Sequence, residues 1–221
     1  MFVGHYSAGL LASRVEPTIN LGILFLAAQA TDLLWAMLVL LHMEHMDIVS
    51  GFTASNPFDF DHMPYSHSLA GAFLLSLLIF TFARMWFPRK AAMVLAAVVF
   101  SHWFLDLLVH RPDLTFLGYG QRVGFALWDH PFVGICLEIG PFLVGCWLYL
   151  QYSAHHNFIS RYGFVALTTV MIVVHLVVFF GPALPSAAAV TGLALFSYIA
   201  YAAVAGWLDT PRSLPAPTIT N

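Results

Sequence analysis

The chain carries six apolar runs, at about 18–42, 66–87, 90–110, 131–152, 161–181 and 186–208, and they restrict the fold more than any other feature. Each is long enough to be a membrane span, which needs about 20 apolar residues. A segment in lipid must satisfy its own backbone hydrogen bonds, so each run is expected to be a helix. Composition agrees: 60% of the 221 residues are hydrophobic, 9% are charged, and the mean hydropathy is +0.82. Ordinary soluble domains carry about 25% charged residues. A water-soluble globule of this size cannot hide so much apolar surface, which excludes a soluble enzyme, and a disordered chain is excluded on the same grounds. The eight Lys and Arg are thinly spread and the net charge is −3, so there is no basic patch for nucleic acid.

The expected architecture is therefore all-α: a polytopic membrane bundle of about six transmembrane helices. Residues 1–208 form one membrane-embedded domain, and 209–221 a Pro-rich flexible tail with Pro211, Pro215 and Pro217. Breaks between runs are marked by Pro17, Pro64, Pro88, Pro112, Pro131, Pro182 and Pro185. Arg14, Arg89, Lys90, Arg161 and Arg212 fall on one side, with Arg84 close to it, and only Arg111 and Arg122 on the other. The positive-inside bias then puts both termini in the cytoplasm and turns loops 43–65 and 111–130 outward. Ala28-Gln29-Ala30 has the look of a signal-peptide cleavage site, but the apolar run continues through Leu41 with no basic cluster before it. Cys136 and Cys146 lie ten apart in one run, too far along a helix to form a disulfide.

Several ionisable residues do not belong in hydrocarbon. Asp32, His102, Asp106, Glu138 and His175 lie within apolar runs, His67 begins one and His110 ends one. A mid-membrane carboxylate costs about 2.5–3.5 kcal/mol. No Lys or Arg shares those depths, so the acids are expected to be protonated, paired with histidine or bound to a metal cation. Counting about 1.5 Å per helical residue from the cytoplasmic boundaries places Asp32, His67, His102, Asp106, Glu138 and His175 within a slab about 8 Å thick. If residues 2–14 form a short re-entrant helix on the first span, turned at Glu16-Pro17, His5 reaches the same level.

His102 and Asp106, at i and i+4, share a helical face on which a metal can be gripped, and His110 continues the stripe. The competing reading is a hydrogen-bonded His–Asp pair. Pro64 sets a helix start with His67 in its first turn. His42-Met43-Glu44-His45 has metal-like spacing but belongs to the outer interface, where polar residues cost little, and His155-His156 falls on the cytoplasmic side. Asp129-His130 sits at the outer mouth.

Gly4-His5, Asp32, Ser66-His67-Ser68-Leu69 and Ser101-His102-x-x-x-Asp106 occur in an order that resembles the bacterial inner-membrane metal-dependent hydrolases, some described as LexA-binding. More distantly, the order is similar to that of zinc phospholipases C. The resemblance covers residues 3–112. Thr31-Asp32-Leu33-Leu34 departs from the family's Pro-Asp-x-Asp-His, and Gly134 stands where a His-x-x-x-Glu pattern would begin, leaving Glu138 as a substitute acid.

The resulting expectation is a divalent metal site, probed first as zinc, with His5, Asp32, His67, His102, Asp106 and Glu138 as ligands. Asp61, His110 or His130 would move the proton, and Arg111 or Arg122 would steer an anionic headgroup. The function implied is metal-dependent hydrolysis of a phosphoester or lipid-linked substrate near the outer leaflet of the bacterial inner membrane. A proton- or cation-coupled permease and an accessory subunit of a membrane complex are the alternatives.

Overall fold

A computed structural model of the chain describes residues 2–152 and 158–209. The expected tail, beyond Asp209, and His155-His156 lie outside the described residues. The protein is mostly helical. A 3-10 turn, Val3–His5, leads into α1 (Tyr6–Val15), followed by α2 (Leu21–Ala28), α3 (Ala30–Leu40), α4 (Leu69–Ala83), α5 (Arg89–Val109), α6 (Pro131–Tyr152), α7 (Phe158–Phe180) and α8 (Ala187–Leu208). Two short antiparallel hairpins, unforeseen from the sequence, occupy the loops expected to face outward: β1 (His45–Ile48) with β2 (Phe58–His62), and β3 (Leu114–Thr115) with β4 (Arg122–Val123).

Among the described residues, α5, α6, α7 and α8 are long and apolar enough to cross a membrane. The first expected run is broken: α2 and α3 meet at an angle of 54°, so the described residues hold four candidate spans, or five if this bent pair is counted as one, against the six expected. The break is at Gln29, which is fully buried and donates from Nε2 to the Phe2 carbonyl. The second expected run emerges as the 15-residue α4, about 22 Å long, short of a bilayer core of about 30 Å. Its start is set by Ser68, whose hydroxyl accepts the Gly71 amide as an N-cap. Ser66 and His67 are thereby left in the preceding turn.

The bundle is apolar outside as well as inside. Phe132, Phe196 and Trp207 are 80%, 71% and 74% exposed, as side chains facing lipid would be. Inside, α1 packs against α2, α5 and α6, with Tyr6 and Leu10 against Phe25 and Phe142. A second core joins Trp35, Phe60, Trp103 and Trp128 beneath the hairpins. Helix α2 packs closely on α8, because Gly22 and Gly206 let the backbones approach. Cys136 and Cys146 are both free thiols.

Candidate metal centre

Five of the six expected ligands converge. His5 follows from the entry to α1, Asp32 from the first turn of α3, His67 from the turn before α4, and His102 and Asp106 from one face of α5. All five are buried. They form two groups, His5–His102–Asp106 and Asp32–His67–His102, each with its candidate ligand atoms within 4.8 Å of one another. His102 belongs to both, so the groups are two faces of one cluster.

The fold orients three of the imidazoles through Nδ1: those of His102, His110 and His67. His102 Nδ1 lies 2.9 Å from the carbonyl oxygen of Ala28. Ala28 ends α2, so its carbonyl is among those that lack an intrahelical partner. A carbonyl can only accept, so Nδ1 carries a proton and Nε2 is the ring atom presented to the cluster. His110 is fixed the same way, with Nδ1 2.9 Å from Asp113 Oδ1.

For His67 the chain of logic is longer. Glu44, buried beneath β1, accepts the Tyr65 and Ser66 amides at 2.8 Å on one oxygen and the Ser66 hydroxyl at 2.5 Å on the other. The single Ser66 hydroxyl proton is thus committed to the carboxylate. Ser66 Oγ also lies 2.8 Å from His67 Nδ1, so it must accept there, and Nδ1–H is the donor.

The Nε2 atoms of both rings, His67 and His102, face carboxylate oxygens. His67 Nε2 is 3.3 Å from Asp32 Oδ1 and 3.5 Å from Asp106 Oδ2, and His102 Nε2 is 3.4 and 3.1 Å from the same two atoms. His102 Nε2 forms no hydrogen bond. With the rings neutral these contacts set a lone pair against an anion and repel; with the rings protonated they are the His–Asp pairs of the competing reading. A cation among these atoms converts every such contact into attraction, and imidazole with carboxylate is a donor set for zinc, manganese or iron. The outer partners of the histidines are of the kind that orient metal ligands. His5 Nε2 lies 3.1 Å from Asp106 Oδ1, its ring stacked on His102 with centroids 3.6 Å apart. Tyr198 donates to Asp32 Oδ2 at 3.2 Å.

Glu138 stands outside both groups. Its carboxylate accepts the amides of Phe2 and Gly4 at 2.9–3.0 Å, closing the start of the amino-terminal helix. Depth along the chain put it at the right level; direction put it elsewhere. His175 likewise stands outside both groups and stacks on Phe2, with centroids 5.8 Å apart.

Of the expected proton carriers, only His110 reaches the cluster, with Nε2 3.6 Å from Asp106 Oδ1 and its ring against Trp128. Asp61 does not. Strand alternation turns Phe60 inward and Asp61 outward, where it is exposed and meets His45 at 3.0 Å. His130 is also exposed, at the turn leading into α6. Arg111 is engaged by Asp129 at 2.9 Å, and Arg122 donates to the Asp61 carbonyl. Sequence reading missed Glu44, Ser66 and Tyr198 as supports of the cluster. Asp113, three residues after His110, was within reach of spacing alone; Glu44 was not, because only the first hairpin brings it to Ser66.

Beside the cluster lies a cavity of about 140 Å3, walled by Asp32, His67 and His110 on one side and by apolar residues of α7 and α8 on the other. Comparison with protein-family models, curated proteins and solved structures finds no match.

Proposed function

We propose that the protein is an integral-membrane metal-dependent hydrolase acting on a phosphoester or lipid-linked substrate near the outer leaflet. The observation that carries this reading is the convergence of the His67 and His102 Nε2 atoms on Asp32 and Asp106, with acceptors fixed behind both rings. The reading takes six crossings, with α2–α3 as one broken span, α4 as a short one and α1 as a re-entrant helix. It places both termini in the cytoplasm of a bacterial inner membrane, supported by the distribution of Lys and Arg. The resemblance of the His5, Asp32, Ser66-His67 and His102-x-x-x-Asp106 series to inner-membrane metal-dependent hydrolases belongs to the same proposal.

His5, Asp32, His67, His102 and Asp106 would hold the ion, with zinc the first to test. Bound there, a divalent ion would supply Lewis acidity, polarising a phosphoryl oxygen and bringing the pKa of water to about 7. The chain's own work is orientation and proton handling. Ala28 holds His102, and the Glu44–Ser66 pair holds His67. His110, braced by Asp113 and lining the cavity, accepts the proton released as water attacks. Trp35, Phe60 and Trp128 exclude bulk water on the hairpin side.

Elemental analysis of detergent-purified protein, wild type beside His102→Ala, tests the reading together with release of phosphate from alkyl phosphates. Bound zinc that is lost in the variant along with phosphate release is the expected result. A metal-free protein whose His102→Ala form is unchanged in stability and activity overturns it. Asp106-dependent ion flux in liposomes without bond cleavage would replace it with a permease.

A further inference from the structure

The cavity beside the cluster has two unlike walls. Asp32, His67 and His110 form one, and Val178, Leu184, Leu193 and Ala194 contribute to the other. Val178 and Leu193, on adjacent helices, are 37% and 43% exposed on the apolar outside of the bundle, so the cavity runs from the cluster to the lipid-facing surface. Two buried nitrogens that lack hydrogen-bond partners belong to lining residues, Trp35 Nε1 and His175 Nε2. A buried indole N–H is normally paired, so its lack of a partner here points to an acceptor supplied from outside the chain. The described lining contains no Lys or Arg and includes the carboxylates of Asp32 and Glu138, so the counter-charge for an anionic head would come from a cation held at the cluster.

Size narrows the occupant. A cavity of about 150 Å3 elsewhere takes a ligand the size of benzene. The volume here, about 140 Å3, accommodates the first carbons of one hydrocarbon chain and not two chains side by side.

We infer that the α7–α8 cavity is the binding site for the chain of a single-chain lipid phosphoester. The phosphoryl group lies at His67 and His110, an oxygen of the head accepts Trp35 Nε1–H, and the chain leaves between Val178 and Leu193 into the bilayer. This rests on the hydrolase reading and names its substrate class.

The test uses the full chain in nanodiscs with zinc added, and a hexadecyl phosphate probe carrying a mid-chain diazirine. Photolabelling is expected to concentrate on Val178, Leu193 and their cavity neighbours, and to fall about tenfold in Ala194→Trp, which fills the cavity, with zinc content unchanged. Shorter alkyl phosphates should compete with affinity rising about fourfold per methylene until the cavity is full, and the increments should vanish in the variant. If Ala194→Trp fails to fold, Val178→Trp at the rim serves instead. Label spread evenly over lipid-facing residues such as Phe73 and Phe196, or untouched by the filling variant, overturns the inference. Localised labelling without phosphate release leaves the cavity assignment standing and removes the hydrolase reading. Equal turnover of a chainless soluble phosphoester does the reverse.

Discussion

Replacing Glu44 by Gln should turn the His67 ring's chemistry around without moving the ring. Glu44 accepts two backbone amides on one oxygen, and a Gln carbonyl placed there keeps both. The amide NH2 then occupies the position of the second oxygen, 2.5 Å from Ser66 Oγ in the native chain, and must donate. Ser66 can no longer give its proton to residue 44, so it gives it to His67 Nδ1, 2.8 Å away. The proton of neutral His67 moves to Nε2, and the lone pair facing Asp32 disappears. Binding a metal through Nε2 would then require breaking a buried hydrogen bond, and outer partners of this kind are worth about 10–100-fold in metal affinity. That is about 1.4–2.7 kcal/mol. Competition titration with a zinc chelator reads the affinity. Nitrogen NMR of histidine-labelled, metal-free protein reads the tautomer, whether or not metal binds. Ser66→Ala is the control: it also weakens zinc binding but cannot deliver a proton to Nδ1. A Glu44→Gln protein that keeps Nδ1–H on His67 and binds zinc as tightly as the native chain would refute the tautomer argument.

Zinc added to chelator-stripped protein should raise the melting temperature. At a hundredfold excess over Kd the gain is about 2.7 kcal/mol, about 5–10 °C for a chain of this size, and Asp106→Asn should abolish it. Gly22→Ala should destabilise by about 1–3 kcal/mol in thermal melts, because its Cβ would overlap Ala202 O and crowd Gly206. Gly192→Ala, with open space around its Cβ, should leave the melt unchanged or raised. His45 on the exposed hairpin has its pKa raised above 6.5, chiefly by the hydrogen bond to Asp61 and then by the charges of Asp61, Asp47 and Asp59. Its contribution is full below the ordinary value and is lost as pH rises through the raised one. An NMR titration should show the His45 midpoint falling in Asp61→Asn, with little change in melting because the pair is exposed.

The helical, membrane-suited character of this chain was legible from residue order alone, because solvation in lipid acts on each segment separately. Apolar runs of sufficient length declare α5, α6, α7 and α8 wherever those helices end up. The convergence of His5, Asp32, His67, His102 and Asp106 was legible too, since helical rise converts sequence position into depth. Depth is one coordinate of three. Rotation about each helix axis depends on packing between segments, and that separates Glu138, turned to the amides of Phe2 and Gly4, from the residues it was grouped with. At the bend Gln29 reaches the Phe2 carbonyl, and His102 anchors beside it on Ala28, both partners distant in the chain. Glu44 reaches Ser66 only once the first hairpin has formed. Which nitrogen of each ring faces the cluster was therefore decided by partners brought together through folding, and no spacing rule carries that information.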